Sequence, residues 1–390
     1  MRGTSNRGGC LAGQGIVGSS ASPSPRLRPR LSRKRESEVL RNVRWPWDWL
    51  RSRVLKRAAE VKQVSERGDS MMSRQPGFEI DINRIREHIV ELTRVPRPCQ
   101  SAELESCRQY VTRMLEESGW AVRRHEWSEV NDYGDLNFGE TLTGINLVAT
   151  RPSTGSDDVA AKPLPRLCVG AHLDSRPDTP GADDNASAVA ALLEIARLLG
   201  KDFPADAQLE LELVAFDLEE NGMLGGREHA RLAREAGIDL RGMISLEMLG
   251  YCDHRPNSQQ LPRSLAGLYP DTGDFIAIIG NQNSTNLIEV ARQGMSTVEE
   301  LLVETLQVPE NGTLLQATRL SDHSPFWDAG FSALMITDTS FLRNPHYHQA
   351  TDTLETLDME FLHAVAEGCV RAVRHLLVNG LPTQPNSSGT

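Results

Sequence analysis

Histidine and acidic residues recur through the middle of this 390-residue chain at spacings that would let them act together. GAHLDSRPDTPGADDNAS carries His172, Asp174, Asp183 and Asp184, and FDLEENG carries Glu219 and Glu220. SLEML carries Glu247, and NPHYHQATD carries His346 and His348. Carboxylates crowded in this way repel one another unless a cation lies between them. Imidazole and carboxylate donors without a thiolate suit zinc, and cobalt or manganese fit the same set. A divalent ion lowers the pKa of a bound water towards neutrality, and a carboxylate beside that water can move its proton. The chemistry implied is hydrolysis. Each residue alone has a plainer reading: a packed histidine, a solvated Glu-Glu turn, an Asp pair serving a helix dipole. Five such positions at the ends of successive apolar runs argue for a joint role.

Periodicity predicts the elements that must position these groups. FEIDINRIREHIVELTRV places Ile82, Ile85, Ile89 and Leu92 at helical spacing and stops before Pro96. ELESCRQYVTRMLEESG reads as a second amphipathic helix that ends at Gly119. WAVRRHEW and TGINLVATRP read as strands, and RLCVGAHLD as a buried one. NASAVAALLEIARLLG is a helix with Asn185 or Ser187 placed to cap it. The strand LELELVAFDLEE, the helix LGGREHARLAREAG and the strand GMISLEML follow. NSQQLPRSLAGLYPDTG reads as a long surface loop. The strand FIAIIGN, the helix NLIEVARQG, the strand FSALMITDTS and the helix DMEFLHAVAEGCVRAVRHLL complete the order. Alternating strands and helices predict an α/β fold, a largely parallel sheet covered on both faces. The candidate ligands then sit beyond the strand ends, where sites in open α/β sheets form.

Composition divides the chain. Residues 1–70 hold 16 Lys and Arg against 6 Asp and Glu, whereas the remainder holds 26 against 47. The expected organisation is a disordered basic extension over 1–75, a catalytic domain over 76–382 and a disordered tail over 383–390. Within the extension, SSASPSPRLRPRLSRKR is Ser-, Pro- and Arg-rich, and WPWDWLRSRVLKRAAEVKQV could form a basic amphipathic helix. A start at Met71 or Met72 is the plainer reading of that segment. The acidic body argues against nucleic acid as a partner. Six cysteines without a CxxC pair suit free thiols in a reducing compartment. No run of about 20 apolar residues predicts a membrane span, and no secretion signal is recognisable, so the expected location is cytoplasmic. Oligomeric state cannot be read from these features.

The series HLDS, GADDNAS, LEENGMLGG, SLEMLGY and PHYHQATDT resembles the M28 family of di-zinc aminopeptidases, from about Phe78 to about Leu381. The resemblance implies a three-layer α/β/α sandwich of the phosphorylase/hydrolase type, with a mostly parallel mixed sheet. It implies two divalent metal ions, zinc being expected. His172, Asp184 and Glu247 would hold one, and Asp184 would bridge to a second held by Glu220 and His348. Glu219 matches the general base, and Asp174 the group that accepts the other ring N–H of His172. Tyr347 matches a residue that stabilises the oxyanion in some members, with packing an equal alternative. Residues alone leave open which of Asp183 and Asp184 bridges, and which of His346 and His348 binds. The family pattern selects Asp184 and His348. Asp322 and His323 in SDHSPFWDAG match a segment that supports the site or walls its pocket. Arg343 and Asn344 face substrate or simply build the loop.

Two departures stand out: Ala188 replaces a usual Gly, and Glu247 a frequent Asp. The implied activity is removal of N-terminal residues from peptides with a free amine. The alternatives are glutaminyl cyclisation on the same fold, carboxypeptidase or dipeptidase action, and an inactive binding homologue. The uninterrupted run LEENGMLGGREH and Tyr347 in place of a Trp favour hydrolysis over cyclisation.

Overall fold

The computed structural model describes residues 79–152 and 163–382. The expectations for the 1–75 extension, the start at Met71 or Met72, Cys10 and the 383–390 tail lie outside these residues.

Two helices open the described chain. α1 (Ile82–Leu92) starts where the Asp81 carboxylate accepts the Asn83 N–H, and it buries Ile85, Ile89 and Leu92. α2 (Ala102–Glu117) starts where Ser101 accepts the Leu104 N–H. Such caps are worth about 1 kcal/mol each. Gly119, at φ 87°, turns the chain out of α2 into the sheet.

The sheet has eight strands in the order β1-β2-β4-β3-β5-β8-β6-β7. They are β1 (Ala121–Val130), β2 (Thr141–Thr150), β3 (Arg166–His172), β4 (Glu210–Phe216), β5 (Leu240–Glu247), β6 (Phe275–Asn281), β7 (Leu302–Val308) and β8 (Ala333–Thr337). β3 lies between β4 and β5, parallel to both, and β8 continues the parallel set beside β5. β1 pairs antiparallel with β2, β2 with β4, and β6 with β8. The sheet is therefore mixed, with a parallel centre. The central strands are buried nearly throughout, which is why they read as continuous apolar runs.

Side chains alternate between two cores, as a two-fold strand period requires. Leu167, Val169 and Ala171 of β3 join the larger core, whereas Cys168 points to the smaller one. α3 (Ala188–Lys201), α5 (Thr285–Met295) and α7 (Met359–Asn379) cover the first face with α1 and α2. α4 (Leu224–Glu235) and α6 (His323–Asp328) cover the second, where Phe216, Phe326 and Trp327 pack. This is the expected α/β/α sandwich. Among the described residues no helix is long and apolar enough to cross a membrane.

One local expectation failed, two elements were missed, and the expected surface loop after β5 has an added role. Neither Asn185 nor Ser187 caps α3: Ser187 donates to the Asp183 carbonyl, and Asn185 bonds Leu246 O and the Met248 N–H. α3 instead grows out of a helical turn, Ala182–Ser187, so its first N–H groups are not left for a side chain. β7 and α6 were not foreseen; β7 pairs with β6 alone, and its half-buried LVETLQV lacks a clear alternation. The loop after β5 is tethered by a bridge between Asp253 and Gly273, and its Leu261, Pro262 and Leu265 wall a cleft.

Candidate metal centre

Every predicted ligand leaves the same edge of the sheet. His172 closes β3 and Glu247 closes β5. Glu219 and Glu220 follow β4, and His348 lies in the segment after β8. Non-glycine residues with positive φ cluster here: Leu218 (57°), Met248 (50°) and His348 (57°). Each such residue costs on the order of 1 kcal/mol. The left-handed Leu218 breaks the strand just before Glu219, so adjacent glutamates can serve one site instead of pointing to opposite faces.

Asp184 is central. Its Oδ1 lies 3.2 Å from His172 Nε2, which is 3.6 Å from Glu247 Oε2. Its Oδ2 lies 3.3 Å from His348 Nε2, which is 3.4 Å from Glu220 Oε2. Two triads thus share one carboxylate: His172, Asp184 and Glu247, and Asp184, Glu220 and His348, the donor atoms of each within 4.8 Å of one another. His172 Nε2 and Glu220 Oε1 are buried without a satisfying hydrogen bond. Buried polar atoms are seldom left so, and a cation in each triad would satisfy both. The donor set fits two divalent ions.

The electrostatics agree. Burial pushes the Glu219 and Glu220 carboxyls well above the ordinary range, and the neighbouring carboxylates add to it. Glu247 is also raised by burial, against the pull of His172. Asp184 goes the other way: burial would raise it, but its contacts with His172 and His348 hold it low. The Arg176 guanidinium, 3.6 Å from Glu220 Oε2, offsets only part of this charge, so the cluster has the chemistry of a cation site.

A hidden scaffold holds the Asp184 segment. Asp352, in HQATD, accepts the Asp183 N–H at 2.9 Å and the Asp184 N–H at 3.1 Å, one per carboxylate oxygen. Burial and the Asp183 charge raise the Asp352 carboxyl to about 8. Arg97, fully buried, donates to the carbonyls of Leu173 (2.6 Å), Pro180 (2.5 Å) and Gly181 (3.0 Å). Gly181, at φ 69°, permits that approach; a Cβ there would lie 2.3 Å from Asp184 O. Sequence reading passed over both residues. The only signal for Asp352 was its place in the quoted motif, and Arg97 in VPRPCQ gave none.

Asp174 does more than the family role implies. His172 Nδ1 meets the Asp174 backbone carbonyl at 3.2 Å, with the carboxylate 3.6 Å away. That carboxylate also accepts the N–H groups of Glu219 and Glu220, both at 3.1 Å. Asp183 lies in the first turn of the Ala182–Ser187 segment, as expected at the helix start, but its oxygens take the Gly250 N–H at 2.9 Å and the Asn344 amide at 2.7 Å. It lies against Asp338, and burial plus that neighbour raise its carboxyl well above normal.

The remaining candidates separate cleanly. His346 bonds Thr351 and is remote from the triads' contacts. Arg343 is buried on Gln259 and the Phe275 ring, so it and Asn344 build the loop and do not line the cleft. Asp322 is buried against Gly226, close enough for its charge to act on Glu219, its carboxyl raised to about 8 by burial, and His323 bonds Thr318 O. Tyr347 stacks on His348, ring centroids 3.6 Å apart, and lines the cleft. The cleft holds about 250 Å³, with Asp184, Glu219, Glu220, Glu247 and His348 at one end. Its walls are mostly apolar, including Leu265, Phe275, Ile279 and Met335.

Comparison with known proteins fits this geometry. The model of peptidase family M28 matches residues 146–373. The uncharacterized protein YfbL of Escherichia coli (strain K12) is 36% identical over 217 residues, 53% of this chain and 65% of that one. Aminopeptidase YwaD of Bacillus subtilis (strain 168) is 28% identical over 210 residues, 53% of this chain and 40% of that one. The match thus spans less than two thirds of either relative's length. In three dimensions the chain resembles the aminopeptidase from Aneurinibacillus sp. strain AM-1, with TM-score 0.59, 17% identity, and coverage of 78% of this chain and 96% of that one. It also resembles Porphyromonas gingivalis glutaminyl cyclase, with TM-score 0.55, 20% identity, and coverage of 75% and 97%. These two likenesses show a shared fold. With more than half of its length matched by the family model and both triads assembled at the strand ends, the chain belongs to peptidase family M28.

Proposed function

We propose that this protein is a zinc-dependent aminopeptidase that releases N-terminal residues from peptides. The observation that carries the reading is the sharing of Asp184 between two triads, with Glu219 beside both and claimed by neither. His172, Asp184 and Glu247 would hold one ion, and Asp184, Glu220 and His348 the other. When bound, such a pair polarises the scissile carbonyl and makes water acidic enough to attack near neutral pH.

The protein residues do the rest. Glu219 lines the cleft, takes the proton from the attacking water and delivers it to the departing amine. Asp174 fixes the Glu219 and Glu220 backbone and is a positioning residue. The Tyr347 phenol, kept protonated by burial and by the Asp184 charge, can donate to the developing oxyanion. Glu247 and Glu219 offer negative charge to the substrate's free amine. The apolar walls favour an apolar first side chain. The described cysteines are unpaired, which supports a reducing, cytoplasmic setting.

A panel of aminoacyl-coumarins together with an N-terminal Gln peptide tests this reading. The expected result is coumarin release, fastest with apolar residues and abolished by chelator. Pyroglutamate formation without hydrolysis would overturn it in favour of cyclisation.

A further inference from the structure

Away from the cleft, the turn that leaves β5 carries Cys252 and His254, and the residue that starts α7 is Asp358. Cys252 Sγ is 3.5 Å from His254 Nε2, and that nitrogen is 4.0 Å from Asp358 Oδ2. The three donor atoms all lie within 4.8 Å of one another. None of the three residues lines the cleft or belongs to either triad around Asp184. We infer that Cys252, His254 and Asp358 form a separate binding site for a thiophilic divalent cation of the zinc class, with water or a further ligand completing the shell.

The geometry suits tetrahedral coordination. Legs of about 2.3 Å to sulfur and about 2.0 Å to nitrogen put those two atoms roughly 3.5 Å apart, which is the separation found between Cys252 and His254. The wider gap to Asp358 can close by a small swing of the His254 side chain, which is 73% exposed. Asp358 has an oxygen to spare: Oδ1 accepts the Glu360 and Phe361 N–H groups, and Oδ2 faces the histidine. The other ring nitrogen, Nδ1, lies 3.9 Å from Asp274 Oδ2. A carboxylate on that side adds negative charge behind a metal-binding imidazole.

The surroundings favour a cation. Burial pushes the Cys252 thiol up, the charges of Asp358, Asp274 and Asp253 add to it, and the Arg343 guanidinium opposes them, so a thiolate here needs a cation beside it. Asp253 is already paired with Arg255. A thiolate, an imidazole and a carboxylate select zinc, cobalt or cadmium over magnesium or calcium, which prefer oxygen alone. Binding converts the thiol to a thiolate and releases its proton to solvent. The backbone holds the ligands in place beforehand: the Asp358 N–H donates to Gly250 O at 2.9 Å, and the Asp253–Gly273 bridge closes the loop between them. An ion here would clip the cleft-wall loop, with Leu261, Pro262 and Leu265, to the start of α7.

Cobalt(II) titration of the full chain tests the site. Thiolate-to-cobalt charge transfer absorbs in the near ultraviolet; the ligands around Asp184 include no thiolate, and C252S separates this site from buried Cys168, which lies with Glu212 and His229. The expected result is one equivalent of cobalt giving that band, lost in C252S and in H254A. D358N, which keeps the helix-capping oxygen, should weaken the band's midpoint at least tenfold. No band up to millimolar cobalt, or a band that survives C252S, would overturn the inference. Either outcome leaves the reading of the cleft untouched, because that is tested by turnover and not by thiolate absorbance.

Discussion

Replacing Glu219 by Gln should abolish turnover while leaving the metal ligands in place. The side chain keeps its size, and the Glu219 and Glu220 N–H groups remain on the Asp174 carboxylate at 3.1 Å. None of the four contacts that join the triads involves Glu219. The charge that is lost was disfavoured, since burial and the Glu247, Asp322 and Glu220 carboxylates all oppose its ionisation, against His172. The metal-free variant should therefore melt no lower than the parent. What disappears is the acceptor for the water proton. A positioned general base contributes about 10²- to 10⁴-fold, on the order of 3–5 kcal/mol of activation free energy. The assay is kcat and KM on an aminoacyl-coumarin, with metal content measured on the same preparation. The expected result is kcat down by at least a hundredfold, with KM and metal content unchanged. Turnover within tenfold of the parent at full metal content would refute Glu219 as the base.

Two further perturbations probe the scaffold. Asp352→Leu leaves the Asp183 and Asp184 N–H groups buried without acceptors, at about 1–3 kcal/mol each. Calorimetry should show a lower Tm, and metal titration a weaker midpoint. Burial, with Arg84 and Arg197 adding to it against Glu194, lowers the His88 pKa to about 4; burial likewise lowers His323 to about 3. Both are neutral in the folded protein and titrate near 6.5 when unfolded. Their folded values are depressed, so the stability is present above pH 6.5 and is lost as pH falls towards 4. For His88 this amounts to on the order of 3 kcal/mol. Denaturant unfolding between pH 7 and 4.5 should show a shallower pH slope in His88→Phe than in the parent.

The sheet was legible because its central strands are buried on both faces and therefore read as unbroken apolar runs. The ligands were legible because they end those runs. β7 escaped because an edge strand with Glu304, Thr305 and Gln307 carries little pattern. The cap expectation for α3 failed because Asn185 and Ser187 are committed to the strand edge after β5, where they bond Met248 and Leu249. Asp174 and Arg97 mark the limit of reading side chains alone. What Asp174 orients is largely backbone, and Arg97 grips carbonyls, which every residue has. The motif marked Asp174 as the partner of His172, and the backbone it also holds carried no signal.

The central claim is that Asp184 joins two ions. Anomalous diffraction from crystals grown with zinc, recorded at the zinc edge, tests it most directly. The account predicts two peaks roughly 3.5–4 Å apart, one beside His172 and Glu247, the other beside Glu220 and His348, each touching an oxygen of Asp184. A single peak in the cleft, or two that do not share Asp184, would contradict it.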